Sequence, residues 1–61
     1  MNDDFHPISV GERVRHVVHA SWGPGSVIEC LGGERLRVFF AYEGEQIVEE
    51  DLIVPDAITL H

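Results

Sequence analysis

Apolar and polar positions alternate with a period of two through most of this chain, and glycines break the alternation at regular intervals. The clearest run is Arg35 to Phe40, where Leu36, Val38 and Phe40 point one way and Arg35, Arg37 and Phe39 the other. Gly11 to Val17 reads as an earlier strand, with Val14 and His16 on one face and Arg13 and Arg15 on the opposite one. Ser26 to Leu31 reads as the second strand. Val27 and Cys30 are out of phase there, which predicts a bulge near Glu29. Gly32-Gly33 predicts the hairpin turn into the third strand, and Ala41 to Gly44 the next turn. Glu45 to Glu49, centred on Ile47, predicts a fourth strand, and Glu50-Asp51-Leu52 a single helical turn. Ile53-Val54 and Ile58-Thr59-Leu60 are short apolar pieces around Pro55, one of which closes the sheet. Five short strands with glycine-rich turns predict an all-β barrel or sandwich.

The predicted core is Val10, Val14, Val27, Cys30, Leu36, Val38, Phe40, Ile47, Leu52 and Ile53, with Trp22 folded over one end. Between the first two strands lies the His19–Gly25 loop with its turn Trp22-Gly23-Pro24-Gly25. A large aromatic followed by Gly-Pro-Gly marks a tight turn meeting a small core. Residues 1–9 are polar, contain Pro7 and read as an arm; residues 10–61 form one domain. A domain of 61 residues buries only about 60% of the surface its unfolded chain exposes. Cys30 is the only cysteine, so no intrachain disulfide adds stability, and a reducing compartment is the expected setting. The start, MNDDFHPISV, lacks the basic and apolar regions of a secretory signal, and no apolar run is long enough for a membrane helix. The expected location is the cytoplasm, without membrane contact.

Charge narrows the range of partners. The net charge is −7, from eleven acidic residues against four basic ones, all arginine. Such a surface repels phosphate backbones, so direct nucleic-acid binding is not expected. The arginines fall in two i,i+2 pairs, Arg13/Arg15 and Arg35/Arg37, on outward strand faces, with Glu45 and Glu49 expected beside them across the sheet.

Three kinds of catalytic or metal chemistry come into question. His16, His19 and Cys30 have donors and spacing compatible with zinc, but a fourth ligand is not evident, since His6 and His61 lie near the chain ends. The preferred reading puts His16 inward, capping backbone groups, with Cys30 as a small buried hydrophobe. Cys30 or Ser26 beside His16 or His19 lacks an oxyanion hole and a substrate cleft. Gly23-x-Gly25 precedes a strand rather than a helix, so it is no phosphate cradle. No cofactor or metal is expected.

The segments Gly11-Glu-Arg-Val-Arg-His16, Trp22-Gly-Pro-Gly-Ser-Val27 and Leu36-Arg-Val-Phe-Phe40 together resemble a bacterial pattern. They are similar to the Tudor-like, SH3-like module at the C-terminus of UvrD/PcrA-type repair helicases. They also resemble short stand-alone bacterial proteins of unknown function with a W-G-x-G turn and, more distantly, the RNA-polymerase-binding module of CarD-type regulators. The likeness covers about Val10 to Leu52. It implies a five-stranded SH3-like (Tudor-like) barrel and a non-enzymatic protein contact, with RNA polymerase as one such partner. The chain departs from the pattern in its acidity and in a longer HVVHAS segment before the turn. A fainter resemblance, in the strand opening and in Gln46-Ile47, is to the type II dihydrofolate reductases, oligomeric SH3-like enzymes. Here Val48 replaces their following Tyr, and no Lys is present. A self-associating accessory domain is the third alternative.

The expected protein-binding residues are Arg37, Phe39 and Tyr42, with Trp22 at the rim. Phe39 interrupts a polar outward row, and aromatic and arginine side chains dominate interface hot spots. Phe5 or Ile8 of the arm is the alternative cover for Phe39. A cage for a cation is a further reading of Trp22, Phe39 and Tyr42, against one in which Trp22 simply packs on the core.

Overall fold

Strand formation follows the alternation just described. The computed structural model describes residues 8–56. It has five strands: β1 (Arg13–His16), β2 (Gly25–Gly32), β3 (Arg35–Phe40), β4 (Gly44–Glu49) and β5 (Ile53–Pro55). Short 3-10 turns cover Ala20–Trp22 and Glu50–Leu52, the second at the site of the expected helical turn. All ladders are antiparallel, and the strand order is β4-β3-β2-β1-β5. No helix among the described residues is long and apolar enough to cross a membrane. Ile58-Thr59-Leu60 lies outside the described residues; Ile53 to Pro55 supplies the last strand by pairing with β1.

The expected barrel is not closed. β4 and β5 are the two ends of the order, and no ladder joins them among the described residues. The sheet must nonetheless curl. In a flat sheet these end strands would stand about 19 Å apart. Only Glu50–Leu52 separates Glu49 from Ile53, a stretch of chain reaching about 14 Å when fully extended.

Inside the curl lies one core of Ile8, Val14, Val27, Leu36, Val38, Phe40, Val48 and Ile53, with Trp22 packed against it. Four expected core residues lie elsewhere. Ile47 is 53% exposed because it stands opposite Arg37, whereas Val48 stands opposite inward Leu36. Cys30 is exposed. Past Val27, β2 has only β3 beside it, so this end of the hairpin outruns the elements that cover the core. Val10 sits on the outside of a turn closed by the Glu12 amide donating to the Ser9 carbonyl, and Leu52 ends an exposed 3-10 turn. Ile8, expected in a polar arm, is buried.

The bulge expected near Glu29 is present as a register shift between Val27 and Glu29, and a second shift follows between Cys30 and Gly32. This second irregularity draws Gly32 into the ladder opposite Arg35, so the hairpin turns on Gly33-Glu34 rather than Gly32-Gly33. Both turn residues have positive φ, +60° and +64°, as a type I′ turn requires. Glu34 holds this conformation against a side-chain clash, while its carbonyl accepts the Glu50 amide at 2.9 Å.

Candidate interaction surface

The outward face of the curled sheet carries all four arginines. Arg37 lies between two carboxylates: its Nη1 donates to Glu45 at 2.7 Å and its Nε to Glu29 at 3.2 Å. These bonds, the one to Glu45 first, raise its pKa further above an already high range. Arg35 stands opposite Glu49 in the ladder, and Arg15 reaches Asp56 at 3.2 Å. Arg13 has no carboxylate partner among the described residues.

Register brings Arg13 close to Phe39. Ser26 pairs with Arg13 on one side and with Phe39 on the other, so the three residues form one row across β1, β2 and β3. A shallow open groove of about 220 Å³ lies here, lined by Arg13, Pro24, Gly25, Ser26, Phe39 and Ala41. The Ala41 amide donates to the Pro24 carbonyl at 2.8 Å and fixes one end. Phe39 is 52% exposed. Phe5 lies outside the described residues, and Ile8 sits in the inner core rather than over Phe39.

The other expected residues divide between two sides. Trp22 packs inward, its ring 5.1 Å from Phe40 and 4.9 Å from His16, and it stacks on His19 at 4.3 Å. Tyr42 is exposed beyond the end of β3, and its ring rests on Gly23. A side chain at position 23 would clash with it, and Gly23 has φ +83° besides. Among the described residues, no ring pairing links Phe39 or Tyr42 with Trp22. Arg37 and Phe39 share the outward face of β3; Tyr42 flanks it and Trp22 lies behind.

His16 is buried at the end of β1, with its Nδ1 accepting from the Val18 amide at 3.1 Å and the His19 amide at 3.0 Å. It caps backbone groups, in agreement with the strand phase. A nitrogen that accepts twice cannot carry a proton, so the imidazole is neutral. Among the described residues, no three His, Cys, Asp or Glu side chains gather to hold a metal. Gln46, the residue of the reductase resemblance, is half-buried, and its Nε2 donates to Glu43 at 3.3 Å.

Burial first, and the neighbouring His19 second, lower the His16 pKa from its ordinary value. The folded state therefore binds fewer protons here than the unfolded chain does. The stability from this site is complete above about pH 6.5, the unfolded value, and declines as pH falls below it. Urea midpoints measured from pH 7.5 to pH 5 should fall in the wild type, and the slope should be markedly shallower in His16→Leu. An equal slope in both would place the pH dependence elsewhere.

Residues 8–58 match a family model described as a protein of unknown function (DUF3553). No curated protein and no solved structure matches the chain.

Proposed function

Because the chain belongs to the DUF3553 family of proteins of unknown function, its role rests on its own surface, and we propose that it is a non-enzymatic protein-interaction module of the SH3-like, Tudor-like kind. The observation that carries this reading is Phe39, half exposed in a charged row beside the groove that holds Arg13. Burying such a ring contributes about 1.5–3 kcal/mol to a contact, and arginine beside an aromatic is a frequent hot-spot pair. The curled five-strand order with a 3-10 link from β4 to β5 supports the SH3-like reading. The resemblance to helicase and CarD-type modules directs the search to transcription and repair proteins, RNA polymerase first. The charge of −7 favours a protein over a nucleic acid.

Phe39→Ser tests the reading. Phe39 lies outside the core, so the melting temperature should fall by no more than about 5 °C. Capture of purified RNA polymerase, or of another defined repair or transcription protein, should weaken about tenfold or more. A sharp loss of stability together with unchanged binding would refute the assignment. So would turnover of dihydrofolate with a reduced nicotinamide cofactor that is lost on changing Gln46. A second reading, self-association, draws on the outward apolar residues Phe39, Ile47 and Val54. Sedimentation of the wild type and of Phe39→Ser separates it from binding to a different protein.

A further inference from the structure

The β4 edge is a second unclaimed surface, separate from the Phe39 groove. β4 pairs with β3 on one side, and among the described residues no strand lies on its other side. Such an edge offers backbone N–H and C=O groups to an incoming strand. The outward side chains of β4 are Glu45, Ile47 and Glu49, standing opposite Phe39, Arg37 and Arg35 of β3. Outward charge thus alternates between neighbouring strands, basic on β3 and acidic on β4. Ile47, between the two glutamates, is a half-exposed apolar step.

Charge and length select the occupant of this edge. A second copy offering β4 would bring like charges against Glu45 and Glu49, which is destabilising. A second copy offering β5 presents only Ile53–Pro55, and Pro55 has no N–H to donate. A basic strand continues the alternation. Glu45 engages Arg37 through one carboxylate oxygen, and a carboxylate accepts on both.

We propose that the β4 edge binds an extended basic segment of another protein by strand addition. Lys or Arg of the segment stands beside Glu45 and Glu49, and an aliphatic side chain stands beside Ile47. The side-chain period of two makes the recognised pattern basic-x-aliphatic-x-basic, which reads the same in parallel and antiparallel pairing. The assignment is independent of the Phe39 groove and of the partner proposed there.

The test uses the full chain and a synthetic peptide containing Lys-Thr-Val-Thr-Lys, followed by amide NMR shifts. Shifts should concentrate on residues 44–49. The same peptide with Glu in place of Lys should give none. Methylating alternate backbone nitrogens should weaken binding about tenfold or more in one phase and little in the other, because only one edge of the added strand faces β4. Glu49→Lys should weaken it by a similar factor. Absence of shifts with the basic peptide would overturn the proposal. So would equal effects of the two methylation phases, or shifts centred on Ser26 and Phe39. Slow exchange in the free protein of those β4 amides that point away from β3 would also overturn it, by showing the edge already occupied by another part of the chain or by a second copy.

Discussion

Phe40→Ala is expected to remove most of the stability of this domain. Phe40 is fully buried at the end of β3, against Trp22 at 5.1 Å and His16 at 6.2 Å, and the backbone opposite it is Gly25. Truncating a buried Phe costs about 3–5 kcal/mol, partly as lost transfer energy and partly as the cavity left behind. A domain of this length has a net stability of about 3–9 kcal/mol. The substitution should therefore leave a large unfolded fraction at 25 °C, seen as a urea midpoint near zero with the slope unchanged. A midpoint lowered by less than about a quarter would mean that neighbouring side chains collapse into the space.

Gly25→Ala should produce the second largest loss, by the opposite physical route. The structure shows why β2 begins on glycine. A Cβ there would lie 2.7 Å from Val38 Cγ1 and 2.8 Å from two ring carbons of Phe40. Both neighbours are fully buried and cannot retreat into solvent. Overpacking of this kind costs about 1–3 kcal/mol. Val38→Ala, although destabilising alone, should relieve part of the clash, so the double variant should lose less than the two single losses added together. Strict additivity in that cycle would show that the added methyl group is accommodated by backbone movement rather than by pressing on Val38.

These two residues also indicate how far the sequence could be read. Leu36, Val38 and Phe40 recur at every second position between turn residues, so β3 and its inward face were legible to the residue. The bulge in β2 was legible as a broken phase, but its effect on Cys30 was not. Exposure there depends on where β1 stops pairing, and that is a tertiary fact. In Glu45-Gln-Ile-Val-Glu49, two adjacent apolar residues fit either phase, and only the ladder partners Arg37 and Leu36 decide between them. Among the candidate binding residues, the outward placement of Phe39 and Arg37 follows from period two alone. The nearness of Arg13 needs two successive strand registers. The His16–His19–Trp22 cluster needs the 3-10 turn that folds Trp22 back, and no local pattern encodes either.

The β1–β5 ladder has a consequence for the route by which the chain folds. β2, β3 and β4 form a meander of hairpins, each closed by a short turn, and such units form early. β1 meets β5 across the whole of that meander; Arg15 and Asp56, bridged at its end, are 41 residues apart in sequence. Closing a loop of this length sets an entropic barrier on the order of 3 kcal/mol before any contact repays it. Folding speed is therefore expected to depend on the arrival of three residues, Ile53–Pro55, beside β1, and substitutions that weaken this ladder should slow folding.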